Sequence, residues 1–152
     1  MIQRIQSIFL VLAMATMLVA SIFTIWGGNS TASCATIINS LHIGTLCEGE
    51  LSITKNISYL LGIQIVFASI ALYALLSYKN RKRQILLGGA NSLLGSVFLL
   101  LTFFITKDIS EAESGSYSLG FFLPLLAIFL NILANRFIKK DEKLIRSLDR
   151  IR

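Results

Sequence analysis

One proline, one histidine, one tryptophan and two cysteines are all that 152 residues hold of these four types. With a single Pro, long helices run without a built-in break. One His and two Cys fall one ligand short of a usual structural zinc site. No paired-carboxylate, nucleophile–base or phosphate-cradling glycine pattern occurs, and Gly27-Gly28 and Gly88-Gly89 are too short to cradle a phosphate. An enzyme is therefore not expected, and no cofactor is implied. Charge is scarce too. Only 14% of residues are Asp, Glu, Lys or Arg, against about 25% in soluble domains. With 55% hydrophobic residues, the expected solvent is lipid.

What is present is a set of long apolar runs around one basic stretch, Lys79-Asn80-Arg81-Lys82-Arg83-Gln84. A cation at the centre of a spanning helix costs roughly 2.5–3.5 kcal/mol. This stretch therefore lies outside the hydrocarbon, and cation-rich short loops stay cytoplasmic. Runs 57–78 and 85–106 flank it as the second and third spans. Run 7–26 is the first, about 30 Å long as a helix, with Trp26 at interface depth. It exceeds a signal-peptide core, so a retained anchor is expected, and a lipoprotein site at Cys34 lacks its aliphatic residue. Run 119–138 is the fourth, with a mild kink expected at Pro124. Tyr59 and Tyr78 read as interface anchors.

The fold expected is all-α: a single membrane domain over 1–152, a bundle of four transmembrane helices. Twelve cations lie on one side (Arg4, Lys79, Arg81, Lys82, Arg83, Arg136, Lys139, Lys140, Lys143, Arg146, Arg150 and Arg152). Only Lys55 and Lys107 lie on the other. Both termini are therefore expected inside. Residues 27–56 and 107–118 are read as outer loops. Residues 139–152 are read as a short amphipathic helix continuing from the fourth span, with Leu144, Ile145, Leu148 and Ile151 on one stripe and Glu142 four before Arg146, lying against the inner leaflet or docking on the bundle. The net charge of +6 hugs the apolar runs, so it points to anionic lipid headgroups or a membrane-protein partner rather than to nucleic acid. Arg4, Lys79, Arg81, Lys82, Arg83, Lys139, Lys140, Lys143, Arg146 and Arg150 are the candidate contacts. No inverted repeat is visible.

Inside the spans the polar side chains are Gln64, Asn91, Asn131 and Asn135, none ionisable. That argues against a proton-coupled pump. Asn91 and Asn131 lie at similar depth, so a hydrogen bond between their helices is expected as structural glue. Gly88, Ser92 and Ser96, with Gly95 nearby, make a small-residue face that fits packing within the chain or homodimerisation. Cys34 and Cys47 on the outer side suit a disulfide; free thiols, or a metal shared with His42, are the other readings. Asn29-Ser30-Thr31 and Asn56-Ile57-Ser58 fit the N-glycosylation pattern, which matters only in a eukaryotic secretory context.

Three cytoplasmic segments are more specific. They are Met1-Ile2-Gln3-Arg4-Ile5-Gln6, Tyr78-Lys79-Asn80-Arg81-Lys82, and the closing Lys139-Lys140-Asp141-Glu142-Lys143-Leu144-Ile145-Arg146-Ser147-Leu148-Asp149-Arg150-Ile151-Arg152. Together they resemble the domain of unknown function 4293 family. The resemblance implies a small four-span protein of the bacterial inner membrane with a periplasmic first loop, which makes the glycosylation patterns irrelevant. It implies no activity. Animal tetraspan junction proteins share the topology and a first-loop cysteine pair, but Trp26 stands alone here, without their tryptophan signature. The function expected is a structural, interaction or assembly component of a membrane complex. The alternative is a small oligomeric transporter or channel for a neutral solute.

Overall fold

The computed structural model describes residues 3–31, 34–47, 50–78 and 80–149. Lys79 and Arg150, named above as lipid or partner contacts, lie outside the described residues. So do the side chains of Arg4, Ile145, Arg146 and Leu148.

Four helices form where the apolar runs lie: α1 (Gln3–Ala20), α2 (Tyr59–Leu76), α3 (Arg81–Ala112) and α4 (Leu119–Asp149). Each turns an inward stripe at three- and four-residue spacing, the helical period. On α1 it is Gln6, Leu10, Ala13, Met17 and Ala20; on α4 it is Ala127, Asn131, Ala134, Ile138 and Asp141. The helices pack in chain order and close a ring, α4 returning to α1. Hydroxyls within α3 fold back on the helix. Ser92, Ser96, Thr102 and Thr106 donate to the carbonyls of Gly88, Ser92, Phe98 and Thr102 at 2.7–3.1 Å. This meets their hydrogen-bonding needs without a partner helix.

The all-α expectation is overturned. The two segments read as outer loops fold into one five-stranded antiparallel sheet, and the fold is α+β. The strands are β1 (Trp26–Thr31), β2 (Cys34–Ile38), β3 (His42–Cys47), β4 (Glu50–Asn56) and β5 (Ser114–Tyr117), in the order β4-β3-β2-β1-β5. The first four lie between α1 and α2; β5 lies between α3 and α4 and pairs with β1. The sheet therefore stitches both connections together at one end of the helices. The physical reason is backbone hydrogen bonding. A long segment lying over helix ends must satisfy its N–H and C=O groups, and ladder pairing does so.

Other boundaries shift with it. The first helix ends at Ala20, and Trp26, expected at an interface, is on β1 and only 1% exposed. It packs with Met17, Ile25, Ile38, Ile57 and Leu60 where the sheet meets the helices. Helix α3 begins within the basic stretch, capped by Asn80, whose Oδ1 accepts from Arg83 N at 3.5 Å. It continues into the segment read as the second outer loop. Pro124 lies inside α4, which runs on to Asp149, so the tail continues the fourth apolar helix as one element among the described residues.

Three helical stretches, Tyr59–Leu76, Arg81–Glu111 and Leu119–Leu144, are long and apolar enough to cross a membrane, and α1 carries a further apolar stretch over Ile5–Ala20. Ile65, Leu93, Leu100, Phe104, Phe122 and Phe129 point outward, each about half exposed or more. An apolar outer surface of this kind is consistent with membrane association.

Candidate functional site

At the end away from the sheet the inward stripes stop being apolar. Gln6 on α1, Gln84 on α3 and Asp141 on α4 are all buried there. Gln6 Nε2 donates to Asp141 Oδ2. Arg81, the first residue of α3, brings its Nη1 to 3.9 Å from the same oxygen. That is ion-pair range but too long for a hydrogen bond, and Arg81 Nη1 is buried with no hydrogen-bond partner. Three helices are thus tied through one carboxylate.

A cavity of about 470 Å³ opens beside this cluster, between the start of α1, the end of α2 and the start of α3. Gln6, Ser7, Tyr78, Arg81 and Gln84 give it polar walls; Ile8 and Leu75 are apolar. At the same end of the helices Lys82, Arg83, Lys139, Lys140 and Lys143 are exposed, so the field at that end is positive. Arg81 is the one described candidate contact that reaches into a cavity wall. Gln6, Gln84 and Asp141 were not singled out from the sequence. The signal available was periodic: Asp141 follows Ala134 and Ile138 on the inward stripe of α4.

Of the four amides expected to make contacts between helices, Asn131 and Asn135 do so and Gln64 and Asn91 do not. Asn91 and Asn131 are both fully buried, but the hydrogen bond expected between them is not made. Asn131 Nδ2 donates instead to Gly88 O and to Ser92 Oγ, both at 2.8 Å. Asn135 Nδ2 donates to Ile85 O at 3.3 Å. The reason is the small face of α3. Gly88 and Ser92 let α4 approach closely enough for a side-chain amide to reach backbone carbonyl. A Cβ on Gly88 would collide with the Asn135 amide. That face is therefore filled from within the chain at Gly88 and Ser92, while Ser96 stays exposed. Asn91 leaves both amide atoms without a partner, as does Gln64, and Asn131 Oδ1 is unpartnered as well.

Cys34 and Cys47 face each other across β2 and β3 and are joined by a disulfide. The thiols that a metal shared with His42 would need are bonded to each other. Among the described residues no group of three metal-ligating side chains gathers. A hollow of about 400 Å³ lies on β1, β2 and β5, lined by glycines and small hydroxyl residues together with Asn29, Ala35 and Ile37.

Among known families, the model described as "Domain of unknown function (DUF4293)" matches residues 2–151. No curated protein matches the chain.

Proposed function

The chain belongs to the DUF4293 family, and from that premise we propose that it is a membrane-embedded structural and interaction protein, an assembly component of a bacterial inner-membrane complex. The basic end faces the cytoplasm and the sheet faces the periplasm. Twelve cations against two support that orientation. The Cys34–Cys47 disulfide supports it as well, because such bonds persist in oxidising compartments.

The observation that carries the reading is how the interior is filled. Trp26, Met17 and Leu60, near the sheet end of the helices, and Phe67 and Phe98, midway along α2 and α3, are all essentially unexposed. Such a plug leaves a solute no obvious route, and it makes a rigid platform. The parts left to meet another molecule are the two sheet edges and the basic end. Strand β4 is exposed along its whole length, and an open edge invites strand addition. Mild-detergent purification of the tagged protein from its native membrane, with mass spectrometry of what accompanies it, is the test. A stoichiometric partner is the expected result.

A second reading, a carrier for a neutral solute, has one observation in its favour. Gln64, Asn91 and Asn131 present unpartnered amide atoms inside the ring of helices. Recovery of the protein alone as a defined homo-oligomer, with solute flux in proteoliposomes, would decide for it.

A further inference from the structure

We propose that the cavity at the basic end is a binding site for one anionic phospholipid, with Arg81 as the ligand of the headgroup phosphate. The proposal rests on the membrane reading above and adds a defined, single site to it.

Arg81 carries five N–H donors on a planar fork suited to phosphate oxygens. Its near neighbour, Asp141, lies outside the cavity lining and already accepts from Gln6. At 3.9 Å it attracts the guanidinium without satisfying it, and Nη1 stays buried and unpartnered. A buried charged donor without an acceptor is costly. The quarter of the Arg81 side chain that is exposed lines the cavity, so a phosphate oxygen there would take charge-assisted hydrogen bonds from its accessible donors while Nη1 stays turned to Asp141. The carboxylate opposes an incoming anion in part; exposed Lys82 and Arg83 on the same helix turn outweigh it.

The apolar part of the cavity says which anion. Ile8 and Tyr78 are more than half exposed at the cavity, and Leu75, also in its lining, packs against the buried cluster of Leu10, Ala74 and Ala134. A free phosphate gains nothing from an apolar wall. A phospholipid does, because its chains can follow Ile8 and Leu75 while its phosphate reaches Arg81. The volume falls within the range of ligand pockets, about 300–1,000 Å³. The helix ends that frame it are where spans give way to polar flanks, at headgroup depth.

The test is native mass spectrometry of the full-length protein in mild detergent, titrated with phosphatidylglycerol or with phosphatidylcholine. One phosphatidylglycerol per chain is expected, held roughly tenfold or more tightly than phosphatidylcholine. Arg81→Gln should abolish that preference, whereas Lys82→Gln, equally charge-reducing but outside the cavity, should keep it. Ile8→Trp, which crowds the mouth and leaves Arg81 and Asp141 in place, should weaken retention even if Arg81→Gln folds poorly. Equal retention of the two lipids overturns the proposal. So does equal loss in Arg81→Gln and Lys82→Gln, which marks diffuse attraction to the basic surface. Displacement of the lipid by millimolar inorganic phosphate assigns the cavity to a free anion instead. None of these readouts depends on a protein partner, so failure of the assembly reading leaves the result distinct.

Discussion

Trp26 lies against Gly115, and the two residues come from different connections between helices. Trp26 opens β1, and Gly115 sits in β5, paired with Gly28. A Cβ on Gly115 would collide with the indole, with Gly27 O and with Gly28 Cα. A Cβ on Gly28 would meet the same ring. The indole thus fills the space that two glycines leave, and β1 and β5 close over it. The contrast is Gly27, where an added Cβ meets nothing within 4 Å. Gly115→Ala should cost about 1–3 kcal/mol by overpacking, and Gly27→Ala should leave stability nearly unchanged. Thermal unfolding in detergent, followed by emission of the sole tryptophan, checks both. Equal stability of the two variants would refute the fit.

The disulfide closes a short loop across one strand pair. Cys34 and Cys47 are 13 apart in sequence and their Cα atoms are 4.3 Å apart. The chain-entropy model gives about 3 kcal/mol for a loop of this size. That gain comes from restraining the unfolded chain, so the figure is an upper bound to the extent that the β2–β3 hairpin persists there. Cys34→Ser should lower the unfolding temperature and change mobility on a non-reducing gel. Reductant should shift the parent protein by the same amount and leave Cys34→Ser unmoved.

The helices were legible in the sequence because their apolar runs are long and nearly free of charge. The sheet was not. Its first strand reads Trp26-Gly27-Gly28-Asn29-Ser30-Thr31, and Gly and Asn are depleted in strands. The fifth, Ser114-Gly115-Ser116-Tyr117, is four residues of mostly turn-like composition. Only tertiary pairing makes either one a strand. A period-two signal was present in Leu51-Ser52-Ile53-Thr54 and in Thr36 and Ile38, which share a buried face. The end of the first run was misplaced for a related reason. Hydropathy does not register that the helix stops at Ala20 and the chain turns into β1. At the candidate site, the cations of the basic stretch were legible but the cavity was not. It is framed by Gln6 and Ile8 on α1, Leu75 on α2 and Arg81 on α3, which are far apart in sequence and meet only when the helices pack.

The amides of the helix interior divide into bonded and unbonded, and substitution should tell them apart. Asn131 donates twice across the α3–α4 contact. Asn131→Leu should destabilise by about 0.6–2 kcal/mol, the range for interhelical polar contacts in membranes. Asn91 has no partner on either amide atom. Removing an unsatisfied buried polar group is neutral or stabilising, so Asn91→Leu should hold or raise the unfolding temperature. Comparison of the two variants in one detergent is the measurement. A loss at Asn91 as large as that at Asn131 would mean that Asn91 has a partner, water or solute, and would favour the carrier reading.

Asp141 holds the basic end together by two different forces, and these can be separated. Its carboxylate accepts from Gln6 and attracts Arg81, on two other helices. Asp141→Asn keeps an acceptor for Gln6 and removes the charge. The ion pair is long, and Arg81 is a quarter exposed, so screening limits its value. A surface-like contribution of about 0.2–1 kcal/mol is expected for that term. Asp141→Ala removes the acceptor too, and strands a buried amide next to a partly buried cation. That should cost more, by about 1–3 kcal/mol for the unsatisfied group. The two partners meet on one oxygen, so Gln6→Ala and Arg81→Gln should couple when combined. Thermal unfolding of the singles and the double measures this. Strict additivity would show that Asp141 joins α1 and α3 to α4 separately, rather than as one cluster.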